Sequence, residues 1–319
     1  MIRYPTTTAN SGKDFFPCWH PCYAVAMKVN DYIETLSQRF EQADLCYAHG
    51  TDNPWDEACY LVFATLSLDF EDFPTALQRK LSESELQLLE ERARRRLEDR
   101  IPTAYLVGTA WFAGHPFKSD HRALIPRSPI AELIGQRFNP LLASDPQTVL
   151  DLCCGGGCLG IAVALAFPEA RVDVLDNSSD ALDLARENVS LHGLEERVRV
   201  IRSDLFTGLI GRRYDLIVSN PPYVSQQEID DLPAEFNHEP STGLLSADNG
   251  MELPKRILAE AVDHLNEDGI LILEVGYSHP ELSARYPDIP FLWLEFEQGG
   301  EGVLMLTHDQ LAKYRERFK

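Results

Sequence analysis

The tetrapeptide Asn220-Pro221-Pro222-Tyr223 carries the most specific chemistry in the sequence. Asn220 offers a side-chain carbonyl and Pro221 a backbone carbonyl, two acceptors placed to grip both N–H bonds of a planar amide-like nitrogen. Such a nitrogen is a poor nucleophile because its lone pair is delocalised. Holding its two hydrogens aims the lone pair and stabilises the positive charge that develops on nitrogen during attack at an electrophilic methyl. The prolines suit this role because they bring no N–H donor and restrict the backbone, and a residue before proline is held extended. Tyr223 adds an aromatic face for the planar amide or for a cation. No general base is required, since the protonated amide product loses its proton to water. A bare Pro-Pro reads as a stiff loop, whereas Asn before it, Tyr after it and the apolar strand Asp215-Leu216-Ile217-Val218 leading in point to a nitrogen-directed site.

A second group of residues could hold the methyl donor. Val149-Leu150-Asp151-Leu152-Cys153-Cys154-Gly155-Gly156-Gly157-Cys158 runs from a strand into a Gly-rich turn and on into a helix, and its glycines let a ligand approach the backbone. Gly155, Gly157 and Gly160 also satisfy the dinucleotide pattern Gly-x-Gly-x-x-Gly, with Asp176 at the end of the next strand for ribose hydroxyls. This pattern alone serves a nicotinamide oxidoreductase as well as an S-adenosyl-L-methionine enzyme. Three features separate the two. Asp151 puts a carboxylate beside the turn, suited to an ammonium group and unfavourable beside a pyrophosphate. Asp204 follows the third strand, placed to accept from an adenine amino group while Leu205 packs on the ring. Asn220 to Tyr223 end the fourth strand. Any one Asp at a strand end could equally be a helix cap, but all these residues fall at carboxyl ends of strands, where open parallel sheets bind ligands.

The elements that must position these groups are legible in outline. Residues 27–105 read as helical, with turns at Gly50 to Pro54 and Asp69 to Pro74 and a capping box from Ser82 to Glu85. On that last helix Leu86, Leu89, Ala93 and Leu97 form an apolar stripe, and Glu90, Arg92, Arg94, Arg95 and Arg96 are expected on a solvated face, with an RNA or acidic-partner contact as the other reading. Residues 106–127 form a connector containing a short aromatic hairpin, Trp111 to Phe117, that turns near Gly114. Ser128-Pro129 signals a helix start. From Thr148 strands and helices alternate: strands at 148–153, 171–176, 198–201, 214–219 and 269–275, helices at 158–167, 179–192 and near 254–265. Alternation of this kind predicts an α/β fold with a parallel sheet covered on both faces. Strands at 291–295 and 302–307 lie too close together for a helix between them, so an antiparallel hairpin closes the sheet. Residues 128–319 thus form one catalytic domain.

Composition narrows the partners. A net charge of −21, from 50 acidic and 29 basic residues, repels phosphate backbones and attracts cationic proteins, or simply confers solubility. No apolar run reaches the ~18 residues a membrane span needs, and residues 1–26 lack the order of a secretory signal. Met27 opens the first amphipathic run, so translation from it would leave residues 1–26 an untranslated leader. The seven cysteines are an odd number, mostly in apolar surroundings, which favours free thiols in a reducing cytoplasm. Cys18, His20 and Cys22 find no second cluster to complete a metal site, so no metal is expected.

The motifs resemble the amino-methyltransferases with an Asn-Pro-Pro-Tyr signature, a family that includes glutamine N5-methyltransferases of release factors and DNA adenine N6-methyltransferases. The stretches Tyr47 to Ala58, Trp111 to His115, Ile125 to Ile134 and Gly299 to Val303 are similar to the branch that methylates a glutamine of ribosomal protein L-three. The resemblance covers about residues 27–319. It implies a seven-stranded Rossmann-like class I methyltransferase domain joined by a β-hairpin to a smaller helical domain that helps recognise a basic protein substrate. It implies also that Asn220, Pro221, Pro222 and Tyr223 hold the glutamine, with Arg127 organising the mouth. Asp151, Cys153, Gly155, Gly156, Gly157, Asp176, Asp204, Leu205 and Asn220 would then contact S-adenosyl-L-methionine, which leaves as S-adenosyl-L-homocysteine. The cofactor turn departs from the family: Cys154-Gly155-Gly156-Gly157 replaces Thr-Gly-Ser/Thr-Gly, losing two hydroxyls that could assist the donor, and Asn249 stands where Asp is commoner. The competing expectations are a release-factor methyltransferase, an adenine N6-methyltransferase, a nicotinamide oxidoreductase, and an assembly factor that has lost turnover.

Overall fold

The computed structural model describes residues 27–318, so the readings of residues 1–26, Cys18, His20 and Cys22 included, lie outside the described residues. The first helices start where local chemistry satisfies their free N–H groups. Helix α1 (Val29–Gln42) buries Val29, Tyr32, Ile33, Leu36 and Phe40 at helical spacing. In α2 (Pro54–Leu66) the Asn53 side chain accepts from Asp56 N and Pro54 fills the first position, where no donor is needed. The short α3 (Phe73–Gln78) leads to α4 (Glu83–Leu97), which opens on the reciprocal Ser82–Glu85 capping box, and α5 (Thr103–Val107) ends on left-handed Gly108. Their apolar stripes share one core around Phe40, Leu61, Phe63 and Leu89.

The basic face expected on α4 needs correction, because Arg96 is fully buried. Its Nε donates to Glu57 Oε1 at 2.7 Å, while its other nitrogens reach Glu235 Oε1 at 3.1 Å and the Cys46 carbonyl at 2.8 Å. Thr103 Oγ1 also donates to Glu57 Oε1, at 2.8 Å. A guanidinium can be buried when carboxylates neutralise it and acceptors meet its donors. Glu235 belongs to a 3₁₀ turn that follows the fourth strand of the large sheet, so this network ties the helical lobe to the segment after Tyr223.

Strands β1 (Thr109–Phe112) and β2 (His115–Lys118) pair antiparallel, and Ala113 and Gly114 both adopt positive φ in the tight turn between them. After α6 (Ile130–Gly135) come β3 (Thr148–Leu152), α7 (Cys158–Ala166), β4 (Arg171–Asp176), α8 (Ser179–Leu191), β5 (Val198–Arg202), β6 (Tyr214–Ser219), α9 (Gln226–Asp230), α10 (Glu252–Glu260), β7 (Leu265–Glu274), α11 (His279–Arg285), β8 (Leu292–Trp293), β9 (Val303–Thr307) and α12 (His308–Phe318). The seven-stranded sheet has the order β5-β4-β3-β6-β7-β9-β8. Its first five strands are parallel, and β9 runs antiparallel to both neighbours. Separate apolar cores cover its two faces, as the near-continuous apolar character of β3 and β6 demands.

Five elements differ from the expected strands and helices, among them the short helices α9 and α11. Strand β7 starts at Leu265, and its pairing with β6 slips at Tyr214/Leu216. Strand β8 shrinks to two residues at the sheet edge, where brevity limits pairing with other chains. Helix α12 was not anticipated, yet its signal is present: Thr307 N donates to Gln310 Oε1 and Gln310 N donates to Thr307 Oγ1, with Leu311 and Phe318 buried behind.

Candidate active site

Strand order reverses between β3 and β6, which opens a crevice at their carboxyl ends. Ser219 Oγ at the end of β6 donates to the Leu152 carbonyl at 2.6 Å, holding Asn220 beside Cys153. A cavity of about 820 Å³ occupies this crevice, within the usual range for small-ligand sites. It is lined by Arg127, Cys153, Gly155, Gly156, Asp176, Asp204, Leu205 and all of Asn220, Pro221, Pro222 and Tyr223. Asp151 and Gly157 are not brought to its wall.

Asp151 is fully buried beneath the start of α7, where its Oδ2 accepts from Gly160 N at 2.8 Å. Its Oδ1 has no partner, and burial, opposed by the Gly160 bond, pushes the carboxyl up to about 7. Oδ2 of Asp151 thus supports the turn, while Oδ1 keeps a free acceptor beneath the cavity wall. Gly157 adopts φ 81° at the N-cap of α7. That left-handed backbone lets the turn enter α7.

The glycine cradle and Asp176 have the form a nucleoside ligand requires. Asp176 Oδ2 accepts from Gly155 N and Oδ1 from Ser178 N, both at 2.9 Å, so the backbone fixes the carboxylate and leaves each oxygen one lone pair for a diol. Burial raises its pKa against these bonds. Across the cavity Leu205 is buried at positive φ, and Asp204 is exposed with Oδ2 held by Arg256 at 3.1 Å.

At the other end, neither the Asn220 side-chain amide nor the Pro221 carbonyl bonds to another described residue. Tyr223 is clasped by backbone. A Cβ on Gly276 would lie 2.7 Å from the Tyr223 ring, and one on Gly250 would lie 2.1 Å from the Tyr223 carbonyl. Tyr223 Oη donates to Glu274 Oε1 at 3.2 Å and Ser128 Oγ donates to Glu274 Oε2 at 2.5 Å. Burial nevertheless lifts the Glu274 carboxyl to about 7, and burial beside Glu274 raises the Tyr223 phenol as well.

Arg127 makes a fork with Glu239, at 2.5 Å and 2.7 Å, and its guanidinium lies 5.4 Å from the Phe236 ring centroid. Glu239 also accepts from Ile125 N at 2.9 Å. Burial would raise its pKa, yet Arg127 and His49 hold it down at about 2. Sequence reasoning missed Glu274, Glu239, Glu235 and His49 as parts of this framework. The one signal was Glu239-Pro240, because single acids and a single histidine carry no local pattern that reports burial.

Residues 136–242 match the model of the methyltransferase small domain, and residues 35–108 match the PrmC N-terminal domain. The chain is 43% identical over 91% of its length to a ribosomal protein uL3 glutamine methyltransferase from Francisella tularensis, covering 93% of that protein. It is 46% identical over 90% of its length to the protein of the same name from Xanthomonas campestris, again covering 93% of it. The chain belongs to the uL3 glutamine methyltransferase family. Among solved structures, the hMettl16 catalytic domain in complex with an RNA hairpin matches at TM-score 0.50 and 15% identity, over 83% of this chain and 96% of that one, a likeness of fold alone. In this member of the family, the Gly155–Asp176 turn and Asn220 to Tyr223 line one cavity at the β3–β6 reversal.

Proposed function

We propose that this chain transfers a methyl group from S-adenosyl-L-methionine to the side-chain amide nitrogen of a glutamine in ribosomal protein uL3, in the cytoplasm. The observation that carries this reading is that Asn220 to Tyr223 and the Gly155–Asp176 cradle share one cavity. When bound, the donor supplies an electrophilic methyl on a sulfonium. Gly155, Gly156 and Asp176 would hold it at one end, with Asp204 and Leu205 on its base. Asn220 Oδ1 and the Pro221 carbonyl accept the two N–H bonds of the glutamine amide and aim its lone pair. Tyr223, fixed through Glu274, covers the flat face of the amide. The excess proton of the product passes to water. The chain's net charge of −21 favours encounter with a basic protein and disfavours nucleic acid. No helix among the described residues is long and apolar enough to cross a membrane.

Incubation with labelled donor and uL3, followed by peptide mass spectrometry, tests the reading. Label on the Gly-Gly-Gln segment of a release factor with none on uL3 would move the function to the sister branch, and calorimetry showing NAD binding without donor binding would reject it. Asn220→Ala is expected to lower turnover about 10²- to 10³-fold, the usual cost of one oriented charge-stabilising group. Donor affinity should stay within a few fold, because Asn220 acts mainly on the acceptor.

A further inference from the structure

A second cavity, of about 480 Å³, lies where α2, the hairpin and the segment before Arg127 meet. Its walls include Cys59, Phe70, Phe73 and Trp111, and it shares Ile125 and Pro126 with the reaction cavity, so the two open onto a common ridge. Large apolar side chains on its rim face solvent: Trp111 is 55% exposed and Phe70 48%. Solvent exposure of this much aromatic surface marks a binding surface more often than a structural one. His49, on the same wall, is only 5% exposed, and its Nδ1 has no partner among the described residues. Its Nε2 lies 3.5 Å from Glu239 Oε2, and Glu239 holds Arg127. A buried polar group without a partner costs free energy that an incoming polar group can relieve. Charge adds a direction. Asn53 Nδ2 donates to Asp52 at 2.6 Å and to Asp56 at 2.7 Å, fixing one carboxylate on the wall of each cavity.

We infer that this cavity is a specificity subsite that seats one bulky apolar side chain of the substrate polypeptide, close in sequence to the methylated glutamine. A basic residue beside that side chain would meet Asp52 and Asp56, and a backbone group of the same segment would meet His49. The apolar walls explain why one side chain enters. The shared Ile125 and Pro126 explain why it belongs to the same segment as the glutamine. This inference rests on the reading of the chain as a protein-glutamine methyltransferase and adds which part of the substrate is read.

The test uses the full chain, uL3 and donor. Trp111→Ala and Phe70→Ala alter exposed side chains. Each is expected to raise KM for uL3 on the order of 10-fold, the usual effect of truncating an aromatic anchor, with kcat and the donor Kd from calorimetry unchanged. Alanine replacements of apolar residues flanking the methylated glutamine should include one whose effect disappears in the Trp111→Ala background. Unchanged KM in both variants, or additive effects at every flanking position, overturns the inference. Binding of fluorescently labelled uL3 is followed separately by anisotropy. If wild type binds uL3 without methylating it, the functional reading fails, while the loss of affinity in Trp111→Ala still decides the subsite. Light scattering that shows a dimer broken by Trp111→Ala would assign the cavity to a second copy and also overturn the inference.

Discussion

Replacing Glu239 by Gln removes one charge from the centre of the framework and changes little of its shape. In the native chain Glu239 has no exposed side-chain surface, and its fork to Arg127 holds its pKa at about 2 against an ordinary value of 4.5. The folded state thus binds its proton more weakly than the unfolded chain does. A group depressed in this way contributes stability that is fully present above the unfolded value and is lost as pH falls through 4.5 toward 2. At ~1.4 kcal/mol per pH decade the contribution is about 3 kcal/mol at pH 7, and roughly 1 kcal/mol of it remains at pH 3. Glu239→Gln keeps an acceptor for Ile125 N but turns an amide toward Arg127, so the variant should be less stable by about that amount at neutral pH. Equilibrium urea unfolding of wild type and variant, followed by circular dichroism at pH 7 and pH 3, measures the gap at both ends. A gap of the same size at both pH values, or none at pH 7, would refute the electrostatic reasoning. In the proposed site the variant should also lose methylation of uL3 while keeping donor affinity, because Arg127 faces the acceptor side of the cavity.

Glu274→Gln should behave oppositely. Burial lifts the Glu274 carboxyl to about 7, so wild type loses stability as pH rises from about 4.5 through 7 and a glutamine does not. The melting temperature of the variant relative to wild type is expected to rise between pH 5 and pH 8, and a constant difference would contradict the assignment. Gly160→Ala places a Cβ 2.5 Å from Val174 Cγ1 and 2.9 Å from Asp151 Cβ. Overpacking of this kind costs about 1–3 kcal/mol, and the helix propensity of alanine recovers at most ~1 kcal/mol. A lower melting temperature and weaker donor binding should follow, and an unchanged melting temperature would show that β4 and α7 can separate freely. Arg96→Leu leaves Glu57 and Glu235 buried without their cation, with an expected cost of about 3–5 kcal/mol read from the urea midpoint. Wild-type stability in that variant would return Arg96 to the solvated face first expected of α4.

The alternation after Thr148, the Gly-rich turn, Asp176 and Asn220 to Tyr223 were all legible from residue order, because each depends on local chemistry. A glycine at a turn, a proline after an acceptor and an apolar run of strand length act within a few residues of themselves. Tertiary structure decided what lies behind them. Arg96 looked like part of a solvated basic face, and only the approach of Glu57 and Glu235, far away in the chain, shows that it is buried. That the Oδ2 of Asp151 meets Gly160 N at the start of α7 depends on how α7 packs on β3. Glu239, Glu274 and His49 became parts of the site because the loop between α1 and α2, the segment after β6 and the end of β7 converge there. The cost of burying a charge depends on which distant charge arrives beside it, and no local pattern in the sequence carries that information.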